Sequence, residues 1–572
     1  MSHGETQPNA PLGKVPHDGP APGAYRHLLR EPAEDERVVW PGTDAEGETR
    51  LARLGAALAD AQFWTAPLPP QDGEPAPKAD DENPSLPAGY TYLYQLAAHD
   101  LLQTTLDFPI LGEGDPASLR NLRTLHFDLD TLYGRGPAAD PHAYAIETAL
   151  DGARGARFRM GLGGAGGLWG EDEASGVRPR HRDIGRAADW NQSAGPRLGP
   201  TEAMLADPRN DDNGVLSQVT TLFMHVHGLL FDAAMTAVAD RLPDGGPRPM
   251  AERRASAFSA ARVLTERLWR RLIARDLAPR LLDPAVAPLL ASRALTPLDP
   301  KGAMPLEFSH AVLRSGHMLA RKSYRFRQGA RPKSIEEVLR QSSRGYAMRL
   351  PATTDWVAQW SCFFDVNPMT PPQLARRFGP SQPRRLDKPY HRFPNDPGDP
   401  QHSLSRIDQI RGARAELWKP EALIGALGAA VPALAQIEGL KPGADAAAAR
   451  RAMVSNWIGR YTPHPFSAHD AATLAEDPPL KLYVEIEAAA LRGGRSYGPL
   501  GSVVVAAVFQ AALPPESAQS EALPGKLAAA AAAAGAPEAA ETIQAAEAVA
   551  DMPGLLRFLA PRAPHVRGLP FL

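Results

Sequence analysis

Residues 94–100 read YQLAAHD, and this stretch decides how the rest of the chain is interpreted. Gln95 and His99 are four residues apart, so on a helix both side chains project from the same face, while Asp100 points elsewhere. Taken alone, an apolar helix with one histidine is most often structural. The stretch therefore acquires a chemical meaning only together with four further clusters along the chain.

Residues 124–134, TLHFDLDTLYG, carry oxygen-bearing side chains at every second position. In an extended loop this spacing turns Thr124, Asp128 and Asp130 the same way, with the carbonyl group of His126 between them. A hard cation such as Ca²⁺ takes an oxygen shell rich in carboxylates. A solvated acidic turn accounts for the pattern equally well, so both interpretations stay open at this point.

Residues 207–213, DPRNDDN, form a polar turn that leads into an apolar helix. Arg209 stands among acids there and would by default be a surface ion-pair residue. The helix that follows carries His225 and His227. Residues two apart do not share a helix face, so these two histidines make a poor metal pair.

Two more clusters lie further along the chain. Residues 307–324, EFSHAVLRSGHMLARKSY, include His317 directly after a glycine. The glycine removes side-chain bulk and would let a flat ligand approach the histidine. Residues 404–412, LSRIDQIRG, place Asp408 and Arg411 three apart and hence on one helical face.

The composition excludes several classes of protein. The 572 residues include 58 prolines and 49 glycines, so much of the chain is loop, yet 43% of the residues are hydrophobic, enough for a sizeable core. Lysine and arginine number 62 against 65 acidic residues, with no long basic block, which argues against nucleic-acid binding. The single cysteine, Cys362, can form neither an intrachain disulfide nor a thiolate metal site. A loop-rich fold without disulfides then needs another stabilising element, such as a bound cofactor or metal.

The chain begins with a predicted flexible arm over residues 1–35, followed by an N-terminal extension with a Pro-rich loop over 36–89. No signal peptide is recognisable, which makes the cytoplasm the default location, with signal-less secretion left open. The longest uncharged apolar run, Val503–Leu513, is too short to span a bilayer, so we expect no transmembrane segment. Gly161–Gly166 matches GxGxxG literally, but no strand, helix and ribose-binding acid frame it, so we interpret it as a loop.

Apolar side chains recur with helical spacing in seven segments, while strand-like alternation is scarce. The segments are Leu93–Leu106, Val215–Leu242, Ala251–Arg275, Phe308–Phe326, Pro420–Ile437, Ala446–Trp457 and Ser502–Leu513. Alanine dominates Lys526–Met552, which predicts a low-complexity helix packed on the surface.

The five clusters, in this order, resemble the animal-type haem peroxidases, the myeloperoxidase-like branch of the peroxidase–cyclooxygenase superfamily. Members carry a distal Gln-x-x-x-His-Asp, a calcium loop ending in Tyr-Gly, a Gly-Asp-x-Arg segment, an Arg-x-Gly-His motif and a later Asn-x-x-Arg-Gly-like element. They also carry a late Gly-Pro-x-Gly element, which Gly498–Gly501 matches in this chain. The match spans about Tyr90–Leu513. It implies a mainly α fold: a single large helical haem-peroxidase domain over residues 90–515 with long loops and little β structure. An Ala-rich helical extension over 516–572 would pack on this domain.

The resemblance assigns the chemistry on one side of the haem. His99 would take a proton from H₂O₂ and return it to the leaving oxygen, Arg209 would stabilise the developing negative charge, and Gln95 would position a halide or water. The implied activity is a haem peroxidase that oxidises halides, pseudohalides or phenolic donors through a ferryl intermediate. H₂O₂ and a small electron donor would be its partners.

On the other side of the haem, the resemblance makes His317 the axial ligand of the iron. Asp408 would accept the remaining N–H of that imidazole, at a position where most relatives have asparagine, and a carboxylate there would push the imidazole toward imidazolate. Arg314 and Arg411 would bind the propionates of haem b. The Ca²⁺ site would consist of Asp100, Thr124, His126, Asp128 and Asp130.

The chain departs from its mammalian relatives where these attach haem covalently. Ala98 replaces the first ester-forming acid, Asp212 stands at the second, and Asn213 occupies the position of a methionine that forms a sulfonium link. We therefore expect at most one ester, through Asp212, and no sulfonium link. Bromide, iodide, thiocyanate or phenols are the expected donors rather than chloride.

Three other functions remain as alternatives. In haem fatty-acid dioxygenases of the same superfamily, a tyrosine three residues before the proximal histidine forms the hydrogen-abstracting radical, whereas this chain has Arg314, which favours a peroxidase. A non-catalytic haem-binding or scaffold protein would need neither His99 nor Arg209. A tailoring enzyme would apply the same chemistry to one biosynthetic substrate. The sequence leaves the oligomeric state open.

Overall fold

The structure, a computed structural model, describes most of the chain. The described residues are 23–42, 46–59, 82–103, 120–146, 154–160, 183–186, 203–239, 246–342, 356–381, 404–461, 466–562 and 570–572. The glycine-rich motif Gly161–Gly166 and the first part of the predicted arm lie outside these residues.

Helices dominate the described residues, which confirms the predicted mainly α fold. Their bounds are α1 Gly47–Ala59, α2 Gly89–Leu101, α3 Asp130–Tyr133, α4 Gly214–Ala237, α5 Met250–Leu272, α6 Ala278–Leu281, α7 Ala287–Ala291, α8 Ile335–Arg340, α9 Leu404–Arg414, α10 Pro420–Ala430, α11 Ala444–Tyr461, α12 Ala468–Glu476, α13 Leu480–Arg492, α14 Pro499–Ala512, α15 Ala518–Ala533, α16 Pro537–Ala548 and α17 Met552–Leu559.

The described strands are short and pair two by two. Their bounds are β1 Tyr25–Arg26, β2 Glu82–Pro87, β3 Tyr144–Ile146, β4 Arg154–Phe158, β5 Met304–Pro305, β6 Ser323–Tyr324, β7 Lys333–Ser334 and β8 Leu374–Arg376. The pairs are β1 with β5, β2 with β8, β3 with β4 and β6 with β7, and only the first is parallel. We predicted a flexible arm over residues 1–35, but β1 makes residues 25–26 part of the fold.

The helix α4 occupies the centre of the molecule. It begins after Asn213, whose side-chain oxygen accepts hydrogen bonds from the backbone N–H groups of Val215 and Leu216 and so satisfies two donors at the helix start. It packs against α2 and α5. Among the described helices, α4 alone is long and apolar enough to cross a membrane, but 83% of its apolar window is buried inside the protein. This burial is that of a core helix.

The late Gly-Pro-x-Gly element is the start of a buried helix. Pro499 opens α14 at a position where no backbone N–H is needed. The buried carboxylate of Glu487 accepts hydrogen bonds from the N–H groups of Leu500 and Gly501, and burial raises the pKa of Glu487 to about 8. A Cβ on Gly498 would come within 2.4 Å of the Glu487 side chain. Glycine is therefore required at that position.

The segment predicted as a helix over Phe308–Phe326 is not a regular α-helix. It forms a π-helical turn over Phe308–Val312 and a 3-10 helix over Leu313–Leu319. The side chain of Arg314 donates from Nε to the carbonyl oxygen of Ser309 at 3.1 Å, an oxygen that an α-helix would pair with the N–H four residues on. A side chain thus takes the place of a backbone donor just before His317.

The alanine-rich segment also differs from its prediction. It forms two helices, α15 and α16, because Gly535 between them has a φ of +77°, a conformation that favours glycine and ends the first helix. Both helices pack on α4.

Candidate functional site

His99 on α2 is held in one tautomer by a hydrogen bond at Nδ1. The residue is 9% exposed, and its Nδ1 lies 3.0 Å from Oδ1 of Asn210. Nδ2 of Asn210 donates to the carbonyl oxygen of Thr131, which fixes the orientation of the amide. Because an amide oxygen only accepts hydrogen bonds, Nδ1 of His99 carries the proton and Nε2 keeps its lone pair.

The surroundings of His99 keep its imidazole neutral. Burial, and to a smaller extent the positive charge of Arg209, lower the pKa of His99 to about 4, although the carboxylates of Asp207 and Asp212 act in the opposite direction. Asp212, the predicted ester position, therefore lies near His99. The ester itself stays a prediction.

Gln95 lies one helical turn before His99 on α2, as its spacing predicts. Its Oε1 accepts a hydrogen bond from Nδ2 of Asn213 at 3.1 Å. Thr91, Gln95 and Ala98 are only partly buried, although most of α2 is buried. This side of α2 therefore borders open space, and the side chain of Gln95 reaches it.

Arg209 joins the polar turn to the C-terminal end of α2. Its Nε and Nη2 donate to the carboxylate of Asp207 at 3.0 and 2.6 Å. Nη1 donates to the carbonyl oxygen of Leu102 at 2.6 Å, and Nη2 donates to that of His99 at 3.1 Å. These carbonyl groups belong to the last turn of α2, where a cation is favourable. The guanidinium charge is thus fixed next to His99, while its predicted role in stabilising a developing charge stays a prediction.

Asp100 reaches the loop of residues 124–134 through N–H donors. Its Oδ2 accepts from the backbone of Leu129 and from the indole Nε1 of Trp269, both at 3.0 Å. Its Oδ1 accepts from the backbone of Thr131 at 3.4 Å. The residue after His99 is therefore tied to the loop and to α5 at once.

The predicted Ca²⁺ residues lie near one another. Burial raises the pKa of Asp100, and the charges of Asp128 and Asp130 raise it further. Oγ1 of Thr124 donates to Asp128 at 3.2 Å, and the half-buried His126 lies on the same loop. Among the described residues, however, no group of three or more histidine, cysteine or acidic side chains is arranged to hold a metal ion. The calcium site stays a prediction.

The hydrogen-bond partner of Nδ1 is a carboxylate in His317, whereas it is an amide in His99. Nδ1 of His317 lies 2.9 Å from Oδ2 of Asp408, which is fully buried. Burial opposes ionisation of Asp408, but its interactions with His317, together with the charges of Arg314 and Lys481, outweigh this effect and hold the pKa of Asp408 below its usual range. The Nδ1–H of His317 therefore donates to a carboxylate.

Part of the His317 side chain borders open space. Protein surrounds the residue, yet 32% of its side chain is exposed, and the space beside the ring is called the cavity below. Among the described residues, Nε2 of His317 has no hydrogen-bond partner. An imidazole held at Nδ1 by a carboxylate, with Nε2 left without a hydrogen-bond partner, is the arrangement of a histidine that binds a metal.

Arg314 and Arg411 lie at one edge of this cavity. Both guanidinium charges, with burial as the larger cause, lower the pKa of His310 to about 3, so both lie close to His310. Arg314 uses Nε for the carbonyl oxygen of Ser309, and its two Nη atoms have no hydrogen-bond partner among the described residues. This edge therefore offers N–H donors to an anion.

The two histidine-bearing segments touch each other. Thr91 of α2 lies 3.5 Å from the carbonyl oxygen of Leu319, and a Cβ on Gly316 would come 3.2 Å from the ring of Tyr94. The glycine before His317 thus permits the close approach of α2. Packing therefore explains the glycine at this position, in addition to the predicted access for a flat ligand.

Sequence reasoning missed the groups that orient the site. Asn210, which sets the tautomer of His99, was passed over as part of a polar turn, although it directly follows Arg209. Trp269, which binds Asp100, gave no signal of its own. Lys481 and Glu485 form a buried ion pair, with 2.6 Å between Nζ and Oε1, on α13, the helix that packs behind His317. In the sequence, only their spacing of four residues indicates that the two side chains pair.

No protein-family model matches the sequence, and no curated protein matches it. Among solved structures, peroxidase A from Dictyostelium discoideum is similar, with a TM-score of 0.50 and 11% identity over 88% of this chain and 90% of that chain. A fatty acid alpha-dioxygenase from Oryza sativa has a TM-score of 0.48 and 11% identity over 90% and 79% of the two chains. One from Arabidopsis thaliana has a TM-score of 0.40 and 12% identity over 82% and 70%. The two dioxygenases superpose less closely than the peroxidase. The comparison with the Dictyostelium peroxidase shows that the chain has the fold of that protein.

Proposed function

We propose that this chain belongs to the animal-type haem peroxidase family and uses H₂O₂ to oxidise small donors, either halides and pseudohalides or phenols. The observation that carries the proposal is the opposite environment of two histidines on adjoining segments. His99 is neutral and bonded to an amide, which suits a base, while His317 is bonded to a buried carboxylate, which suits a metal ligand.

The residues at the cavity fit haem b. Nε2 of His317 would hold the iron, and the N–H donors of Arg314 and Arg411 would bind the propionates. Asp212 would form the single ester if one is present. Bound haem supplies a redox-active iron that accepts oxidising equivalents from the peroxide.

The chain's own residues handle the protons. Nε2 of His99 takes a proton from one oxygen of H₂O₂ and returns it to the other, which then leaves as water. Arg209, fixed beside His99, stabilises the negative charge that develops between these two events. Gln95, bound to Asn213, places a donor or a water molecule on the same side.

Ca²⁺ is proposed to bind the loop at Asp100, Thr124, His126, Asp128 and Asp130. Three of these side chains are carboxylates that repel one another, and a hard cation would offset that repulsion. Since Asp100 directly follows His99, the ion would fix the end of α2 that carries the base.

Spectroscopy and turnover of purified, haem-replete protein test the proposal. We expect a Soret band that changes on addition of H₂O₂, and peroxide-dependent oxidation of bromide or a phenol. His317→Ala should lose the band and His99→Ala should keep it but lose turnover, while the exposed His469 on α12 provides the control His469→Ala.

Three results would contradict the proposal in different ways. Oxygen uptake with linoleate but no peroxide-dependent oxidation would identify a dioxygenase. A Soret band without any turnover would identify a haem-binding or scaffold protein. Absence of haem binding by the unmutated protein would remove the cofactor itself.

A further inference from the structure

Tyr25 of β1 reaches the same edge of the cavity as Arg314. The residue is 5% exposed, and its ring packs edge-on against His310, with 5.7 Å between the ring centroids and an angle of 83° between the planes. The charges of Arg314 and Arg209 both act on the Tyr25 hydroxyl. Tyr25 therefore lies within electrostatic range of arginines from both histidine-bearing parts of the site.

The N-terminal segment is fastened to the segment that carries His317. β1 pairs in parallel with β5, which directly precedes the π-helical turn. The buried carboxylate of Glu307 binds Nδ1 of His27 at 2.6 Å and accepts from the backbone N–H of Leu28 at 2.8 Å. These contacts, in β1 and directly after it, fix the backbone at Tyr25 relative to the segment that carries His317.

The hydroxyl of Tyr25 is a buried donor without an acceptor. Among the described residues it has no hydrogen-bond partner. Burial raises the pKa of Tyr25, so the group stays protonated, and the nearby Arg314 offers only further N–H donors. An unsatisfied buried hydroxyl costs free energy unless a ligand supplies the missing acceptor. A phenol O–H and a guanidinium beside the same histidine together match the chemistry of a carboxylate.

We propose that Tyr25 and Arg314 together bind one carboxylate of the haem, so that the N-terminal strand closes that edge of the cavity. The inference rests on the proposed haem site and adds a residue outside the five sequence clusters. It also gives β1, which lies within the predicted N-terminal arm, a role, because β1 would then complete the cofactor site.

A comparison of two ligands and three proteins tests the inference. Apoprotein of the unmutated chain, of Tyr25→Phe and of the control Tyr483→Phe is titrated with haem and with haem dimethyl ester, in which both carboxylates are blocked. Tyr483 is the matched control because its hydroxyl is also buried and without a partner, but its charged neighbours are Glu487, Arg450 and Glu421. Soret absorbance and quenching of protein fluorescence report binding, and the thermal midpoint of each apoprotein reports folding.

We expect Tyr25→Phe to weaken haem binding about tenfold or more, as the loss of a hydrogen bond to a charged group predicts, and to leave binding of the dimethyl ester unchanged. Tyr483→Phe should change neither. Equal losses for both ligands, or no loss with haem, would overturn the inference while leaving the haem site standing. If the unmutated protein binds neither ligand, the proposed function fails instead.

Discussion

Replacing Asp408 by asparagine tests whether the carboxylate behind His317 controls the electron density of the imidazole. Oδ2 of Asp408 lies 2.9 Å from Nδ1 of His317, and Asp408 is fully buried with its Oδ1 free of any hydrogen bond among the described residues. With no donor on Oδ1, the hydrogen bond to His317 is the only one that the carboxylate makes among the described residues. Asparagine keeps the shape and removes the charge.

The expected effect follows from the strength of this hydrogen bond. A hydrogen bond to a charged group contributes about 1.5–3 kcal/mol, and a neutral one about 0.5–1.5 kcal/mol. The substitution therefore removes about 1–1.5 kcal/mol, which for a one-electron couple equals about 45–65 mV. Because the carboxylate favours the more positive ferric iron, we expect the midpoint potential of Asp408→Asn to rise by about 45–65 mV.

A spectroelectrochemical titration of the haem-loaded protein measures this potential. The control is Asp232→Asn, which removes the same charge from an exposed position on α4. Thermal unfolding of both apoproteins shows whether the substitution disturbs the fold. An unchanged potential in Asp408→Asn, with haem still bound, would refute the assigned role of the carboxylate.

Four further outcomes are expected. Because the pKa of His99 is lowered to about 4, its base form persists on acidification, so the rate constant for H₂O₂ measured by stopped flow should fall only as the pH approaches about 4. The same shift means that the unfolded chain, with a histidine pKa near 6.5, binds the proton more tightly, so the His99 contribution to stability declines as the pH drops from 6.5 to about 4. If Ca²⁺ binds the loop, excess EDTA should lower the thermal midpoint of the unmutated protein in calorimetry, and Asp128→Asn should abolish this response. Gly316→Ala, whose Cβ would press on Tyr94 at 3.2 Å, should cost about 1–3 kcal/mol in urea unfolding, while Gly425→Ala on α10, with no neighbour within 4 Å, should be neutral or stabilising.

The parts of the fold that depend on local periodicity were predictable. The spacing of Gln95 and His99 predicted that both lie on one helix, and α2 carries both. The apolar run that became α4 was predicted from the same 3.6-residue pattern. In each case neighbours along the chain determine the structure, and a single sequence contains that information.

Contacts between distant parts of the chain were not predictable in this way. Asn210 meets His99 across 111 positions, and a polar turn gives no sign of which histidine it will orient. β1 has only two residues, too few to show the alternation of apolar and polar side chains that predicts a strand, so its pairing with β5 could not be predicted from the sequence. The segment before His317 has helical spacing, but the side chain of Arg314 donates to the carbonyl oxygen of Ser309 in place of a backbone N–H. Tertiary packing determines which donor binds this oxygen, so the sequence pattern alone does not show it.

The partner atom at Nδ1 separates the roles of two residues of the same type. His99 and His317 are both buried, and burial lowers the pKa of both. Asn210 offers His99 a neutral oxygen, which orients the ring without adding negative charge, so Nε2 can accept a proton and release it again. Asp408 offers His317 an ionised oxygen, which raises the basicity of Nε2 and suits it to hold a cation. Exchanging the partners, with Asn210→Asp and Asp408→Asn in one chain, should therefore weaken both functions together even though each histidine stays in place.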